Sequence, residues 1–258
     1  MLVNGLGRHP ELAQPLGALK AQGGTIQRQV FVASFADLVR AYRLGTHLPS
    51  LRQAFAAATA AIRRNPQNPS AYFERGNLHF DQADYDKAVG DYDEAVRLGL
   101  AGSAVYEYRG MALANRGDYD RAIEDYNRAL AKNPGRAETY HNRGLAYAQK
   151  AELQKALGDL DAALAHAPRD ERAYSDRGYI HARLGDLARA IADYNEALQL
   201  QPNAPATLIR RGDAYQAQGK LASALADYAR ALQLNAHFGE AANKLGLVWV
   251  RIGIRFPL

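Results

Sequence analysis

The chain has 258 residues, a formal net charge of +5, 48% hydrophobic and 23% charged content, the balance of an ordinary folded, soluble protein. It contains no cysteine, which excludes disulfides, thiolate catalysis and cysteine–zinc sites. The basic excess sits in residues 1–68 and 237–258, whereas 69–236 is mildly acidic, so the charge belongs to the flanks and nucleic acid is disfavoured as a partner.

Residues 1–34 read as an N-terminal extension with little pattern beyond a short helix expected around 11–20. The opening MLVNGLGRHPELAQPLGALK has no basic start followed by an apolar stretch, so no signal peptide is read there. Its G-x-G follows no strand and does not make a phosphate cradle. Residues 35–68 read as a degenerate leading repeat. FADLVRAYRL at 35–44 would be its first helix, with Tyr42 where later units carry glycine. SLRQAFAAATAAIRRNP at 50–66 would be its second, with Ala54, Ala61 and Pro66 in phase with the units that follow.

From 69 to 236 one unit of 34 residues is written five times. Gly76, Gly110, Gly144, Gly178, Gly212 and, beyond the fifth unit, Gly246 recur at that spacing without insertion. The first five follow Arg75, Arg109, Arg143, Arg177 and Arg211. Each of those five precedes the pattern A-x-x-x-[YL]-x-x-A, as in Ala88, Tyr92 and Ala95 or Ala156, Leu160 and Ala163. Apolar residues recur at helical spacing within each half unit. Gly117, Gly185 and Gly219 break the halves, and Asp84, Asp118 and Asp186 are placed to cap the second helix. Pro134, Pro168 and Pro202 close three units. Each unit is therefore a helical hairpin. Helices of about 13 residues are marginal alone in water, so the hairpins must stack into a solenoid.

With Y-x-x-R-G-x-x-[YLH] in the first helix, the repeat resembles the tetratricopeptide repeat family. That resemblance implies an all-α fold: a right-handed superhelix of stacked antiparallel helix pairs, with first helices lining its concave face. In residues 69–236 it covers about two thirds of the chain.

No catalytic or metal-binding constellation stands out. His9, His47, His79, His141, His166, His181 and His237 form no H-E-x-x-H. No G-x-S-x-G, phosphate-binding loop or nucleophile–base pair occurs at recognisable spacing. The acids and tyrosines repeat with the period, and periodic residues serve packing rather than a single reaction centre. Asp91, Asp125, Asp159, Asp193 and Asp227 each lie sixteen residues after a repeat arginine, at a similar height in an antiparallel hairpin. They predict a ladder of Arg–Asp contacts in preference to an anion-binding stripe.

The family resemblance assigns the concave face to positions 2, 5, 9, 12 and 13 of units counted from Pro69, Ser103, Ala137, Glu171 and Pro205. These give Phe73, Asn77 and Phe80; Glu107, Met111 and Asn115; Glu138, His141, Leu145 and Gln149; Arg172, Ser175, Tyr179 and Arg183; and Ile209, Asp213 and Gln216. They differ from unit to unit while the packing residues do not. Phe73, Phe80, Met111 and Tyr179 suit the role of anchors. Some relatives clamp a chaperone's C-terminal carboxylate with lysine and asparagine; Phe73 and Tyr108 stand where two of those residues would be, which disfavours that clamp here.

Residues 237–258 are expected to form a C-terminal capping helix and apolar tail. LGLVWVRIGIRFPL at 245–258 leaves no polar outer face, where the end of a solenoid needs one. A homodimer or partner contact through 245–258 is one reading of it; fold-back, or cover by residues 1–34, are the others. The sequence is thus read as a non-catalytic scaffold or adaptor that holds a peptide or protein partner in its groove, with no cofactor or metal. The alternative is a chaperone-like assembly factor for a membrane or envelope complex, using the apolar tail. No apolar run approaches the roughly 18–20 residues of a transmembrane helix, and the chain is expected in the cytoplasm, with the periplasm left open.

Overall fold

The computed structural model describes residues 51–234 together with 243 and 244. The expected helices at 11–20 and 35–44, Gly246 and the tail 245–258 lie outside the described residues.

Eleven α-helices and no strand occur among the described residues. α1 (Leu51–Arg64) comes first and packs on the first helix of the pair that follows. Five pairs follow: α2 (Pro69–Asp81) with α3 (Tyr85–Arg97), α4 (Ser103–Asn115) with α5 (Tyr119–Lys132), α6 (Ala137–Gln149) with α7 (Leu153–His166), α8 (Glu171–Arg183) with α9 (Leu187–Leu200), and α10 (Pro205–Ala217) with α11 (Leu221–Leu234). Each first helix packs on its own second helix, on the second helix of the preceding unit and, more lightly, on the next first helix. The result is an α-solenoid.

Local chemistry sets the helix ends. The Asp84, Asp118 and Asp186 carboxylates accept from the backbone N–H groups of Lys87, Arg121 and Arg189, as the spacing predicts. Asn68 and Asp170 cap α2 and α8 in the same way. Between the paired helices Gly117, Gly185 and Gly219 take φ of +83°, +83° and +75°. In the other two units Ala83 and Ala151 adopt φ of 57° and 60°, a left-handed conformation that costs a residue with a Cβ about 1–2 kcal/mol.

The core is built from repeated small and large residues. Ala88, Ala122, Ala156, Ala190 and Ala224 are fully buried, as are Tyr92, Leu160 and Tyr228. The five repeat glycines lie where the paired helices touch. A Cβ at Gly76, Gly110, Gly178 or Gly212 would stand 2.5–2.8 Å from a ring carbon of Tyr92, Tyr126, Tyr194 or Tyr228. At Gly178 it would also meet the Ala190 carbonyl oxygen at 3.0 Å. At Gly144 the facing residue is Leu160, and the nearest atoms would be 3.3 Å away.

The predicted Arg–Asp ladder is present in all five units. Arg75, Arg109, Arg143, Arg177 and Arg211 each donate through Nε and Nη2 to both oxygens of Asp91, Asp125, Asp159, Asp193 and Asp227, at 2.6–3.0 Å. The remaining Nη1 reaches back to the preceding unit: Arg109 to Asp93, Arg143 to Asn127, Arg177 to Asp161 and Arg211 to Asn195, at 2.6–2.8 Å. These donors are committed, so the arginines are a structural frame and not an anion-binding stripe.

Two outcomes follow from this packing. Gly178→Ala should destabilise the chain by about 1–3 kcal/mol through overpacking. Gly144→Ala should cost less, because its neighbours, the Ala156 carbonyl oxygen, Asp159 and Leu160, each 3.3 Å from the new Cβ, need give only slightly, against a gain of roughly 1 kcal/mol in helix propensity; urea midpoints of the two variants would then differ clearly, and equal midpoints would refute the steric account. Arg109 and Asp125 are the most buried pair of the ladder, with 9% and 2% of their side chains exposed. Arg109→Ala should therefore cost up to about 3–5 kcal/mol, because it leaves the buried Asp125 carboxylate with only the half-exposed Arg128 at 3.1 Å, as read by denaturant melts against the parent chain.

Candidate functional site on the first-helix face

On α2, α4, α6, α8 and α10, positions 9 and 13 fall nearly one turn apart and so share a face. They form a stripe across the units: Asn77 and Asp81, Met111 and Asn115, Leu145 and Gln149, Tyr179 and Arg183, Asp213 and Ala217. Met111, Asn115, Leu145 and Gln149 come together around a recess of about 270 Å³ between α4 and α6. Ala114, Tyr119, Tyr126, Asn142 and Ala146 complete its lining. The Asn115 side chain donates to the Met111 carbonyl at 2.8 Å, which fixes one rim. The Asn142 amide nitrogen is buried with no hydrogen-bond partner among the described residues. An apolar side chain is what such a lining can accept.

Asn142 is absent from the positions assigned by resemblance. The signal for it was available: it precedes Leu145 by three residues and so neighbours it on the helix surface. Tyr119 and Tyr126 belong to the second helix, and nothing in the first-helix pattern points to them.

Other predicted groove residues are drawn into contacts within and between units. Asn77 is buried and accepts from the Tyr92 hydroxyl at 2.8 Å. Glu107 is buried and accepts from Arg136 at 2.7 Å. Buried His141 meets Asp176 of the next unit at 2.9 Å. Buried Ser175 lies 3.1 Å from the Thr207 hydroxyl and accepts from Arg210. Ile209 is likewise buried. Phe73 packs edge-on against Tyr108 at 5.8 Å between ring centres, and Phe80 against Tyr85 and Tyr108, so these two aromatics are part of a ring cluster and only partly open.

The C-terminal half of the face is richer in charge. Tyr179 is 42% exposed and lies between the guanidinium groups of Arg183 and Arg210, 5.9 and 5.1 Å from its ring centre. Arg172 and Arg183 are exposed. Arg210 donates to Asp176 at 2.9 Å. Asp213 accepts from the Tyr228 hydroxyl at 2.8 Å and from Lys244 at 2.6 Å, and Gln216 also accepts from Tyr228. Burial alone would raise the Asp176 carboxyl, but hydrogen bonds from His141 and Arg210 outweigh it and hold Asp176 below the usual carboxylate range.

The recurring hairpin, its glycine–tyrosine contacts and the described stacking converge on one family. Models of the tetratricopeptide repeat match residues 50–102 and 73–137, 108–176 and 205–238, and a TPR repeat model matches 178–219. The chain belongs to the tetratricopeptide repeat family. No curated protein matches it. Among solved structures it is similar to YrrB, described as a TPR protein with an unusual peptide-binding site, at 20% identity and a TM-score of 0.60, over 74% of this chain and 98% of that one. It is also similar to MamA from Desulfovibrio magneticus RS-1, at 21% identity and a TM-score of 0.58, over 65% and 93% of the two chains. A third is TTC0263, a thermophilic TPR protein of Thermus thermophilus, at 22% identity and a TM-score of 0.57, over 70% and 99%. At these identities the likeness establishes the fold. Proteins of this family generally mediate protein–protein interactions and are typically non-catalytic. No helix among the described residues is long and apolar enough to cross a membrane.

Asp176 joins three units through His141 and Arg210, so Asp176→Asn should lower stability at pH 7 by about 1–3 kcal/mol. The sign of its pH dependence is fixed by the depressed carboxyl. The parent's advantage is full above the unfolded-state value of about 3.9 and is lost as pH falls through the lower folded value. Urea midpoints of the two chains should therefore converge on going from pH 7 to below pH 3.

Proposed function

We propose that the chain is a non-catalytic scaffold that works in the cytoplasm and holds a peptide or protein segment along its first-helix face. The recess at Met111 and Leu145 carries this reading. It is formed where positions that vary between units meet, with Met111 and Leu145 giving it apolar walls and Asn115 and Gln149 placing polar groups at its edge. YrrB, which shares the fold, is described as having an unusual peptide-binding site, which supports peptide binding by such an array.

The groove residues divide by role under this reading. Met111, Asn115, Leu145, Gln149, Tyr179, Arg172 and Arg183 are left to meet a partner. Glu107, His141, Ser175 and Asp213 shape the face by contacts toward the following unit, Asn77 by a contact to its own second helix, and Phe73 and Phe80 form its aromatic end. An assembly factor acting through the apolar residues 245–258 is the competing reading, and it calls on a different part of the chain.

Cross-linking and mass spectrometry on the full chain would identify a partner, and calorimetry with the purified partner would measure affinity. Replacing Phe73, Met111 and Tyr179 together by Ala should weaken binding at least tenfold, with helicity retained, while deletion of 245–258 leaves affinity unchanged. Loss on the deletion alone would transfer the binding role to the tail.

A further inference from the structure

The first-helix face changes character along its length, and among the described residues one cation on it is left over. Arg172 lies 3.5 Å from Asp170, Arg210 2.9 Å from Asp176 and Lys244 2.6 Å from Asp213. The repeat arginines are saturated by the ladder. Arg183 is exposed, and no carboxylate among the described residues pairs with it. Its guanidinium is nevertheless held in place. It stacks over Tyr179, and Nη1 donates to the Ala148 carbonyl oxygen of the preceding unit at 3.2 Å. A guanidinium fixed at one nitrogen and against a ring keeps donors free for a carboxylate and loses less side-chain entropy on binding than a free arginine would.

Ala148 adjoins Gln149, which lines the recess beside Leu145. The arginine therefore stands next to the apolar opening, one unit further along the same stripe. Packed helices lie about 8–10 Å apart. An extended chain advances about 3.3 Å per residue. One step along the stripe thus corresponds to about three residues of an extended ligand.

Resting on the groove reading above, we propose that the segment bound there carries an apolar side chain for the Met111–Leu145 recess and, about three residues away, an aspartate or glutamate that pairs with Arg183 over Tyr179. A single unpaired cation with paired acids beside it matches a monoanionic side chain. It does not provide the run of free cations that a polyanion such as nucleic acid would need. The chemistry also accounts for why Tyr179 is left open: its ring is the floor on which the ion pair lies, and an aromatic floor strengthens a cation's position at a partly desolvated site.

The test is selection of a random ten-residue peptide display library on the full chain, followed by direct binding of the selected peptides. The expected result is enrichment of an acidic residue about three positions from Leu, Ile, Met or Phe. Arg183→Glu should weaken the selected acidic peptide about tenfold or more and exchange the acidic preference for a basic one, while the melting curve stays that of the parent. Met111→Ala combined with Leu145→Ala should erase the apolar preference and keep the acidic one. If selected peptides show no acidic preference, or keep it on Arg183→Glu, the assignment of Arg183 fails, while the groove reading stands so long as enrichment needs Met111 and Leu145. If no peptide is enriched on the parent chain, both fail.

Discussion

From the second unit on, the fork of each repeat arginine ties three helices at one point. In these four units it grips an aspartate on its own second helix with two donors and an aspartate or asparagine on the previous second helix with the third. Arginine suits this task because its guanidinium is planar and always charged, so the two grips have a fixed mutual angle. Buried ion pairs contribute little net stability against an apolar alternative of equal volume. Their effect here is on register. A hairpin that slid by one helical turn would strand a cation and a carboxylate at once, whereas alanine faces alone would tolerate sliding much better.

Close approach of the helices follows from the same line of residues. Each glycine sits directly after its arginine, and its missing Cβ admits the tyrosine ring that fills the interior of the hairpin. The ring supplies much of the buried apolar area, and its hydroxyl finds a polar partner in the first and last units, Asn77 and Asp213. In the third unit Leu160 replaces the tyrosine and the contact loosens. Stability of such an array is close to a sum over units and their neighbour contacts, so local looseness of this kind lowers one term without undoing the whole.

Much of this frame was legible in the residues. The period, the hairpin, the caps at Asp84, Asp118 and Asp186 and the Arg–Asp pairs all follow from local spacing, because within one unit the geometry is set by helix parameters alone. What lay beyond the sequence depends on the stagger between units. His141 with Asp176 and Phe73 with Tyr108 are each 35 residues apart, a contact one residue off the period that no single-unit count reveals. That stagger turns His141 and Ser175 from groove positions into mortar between helices, and Arg136, just before the next first helix, does the same for Glu107. The left-handed alanines are a smaller surprise. Ala83 and Ala151 occupy a site that glycine fills elsewhere, and the close packing on either side imposes the conformation despite its cost.

Once the ladder has neutralised the repeat arginines, and the stagger has buried the fifth positions, the first-helix face retains little freedom. Its remaining variety sits on the stripe from Met111 to Arg183, where side chains change from apolar to aromatic and cationic over two steps. A frame this regular cannot fix the register of a ligand along it, since every unit presents the same backbone. Register and sequence preference must come from residues that break the repeat. The recess and the lone Arg183 are two such breaks, adjacent and chemically unlike. A segment lying across both has one favoured polarity, because reversing it would place a carboxylate against Met111 and Leu145 and an apolar group on an uncompensated guanidinium.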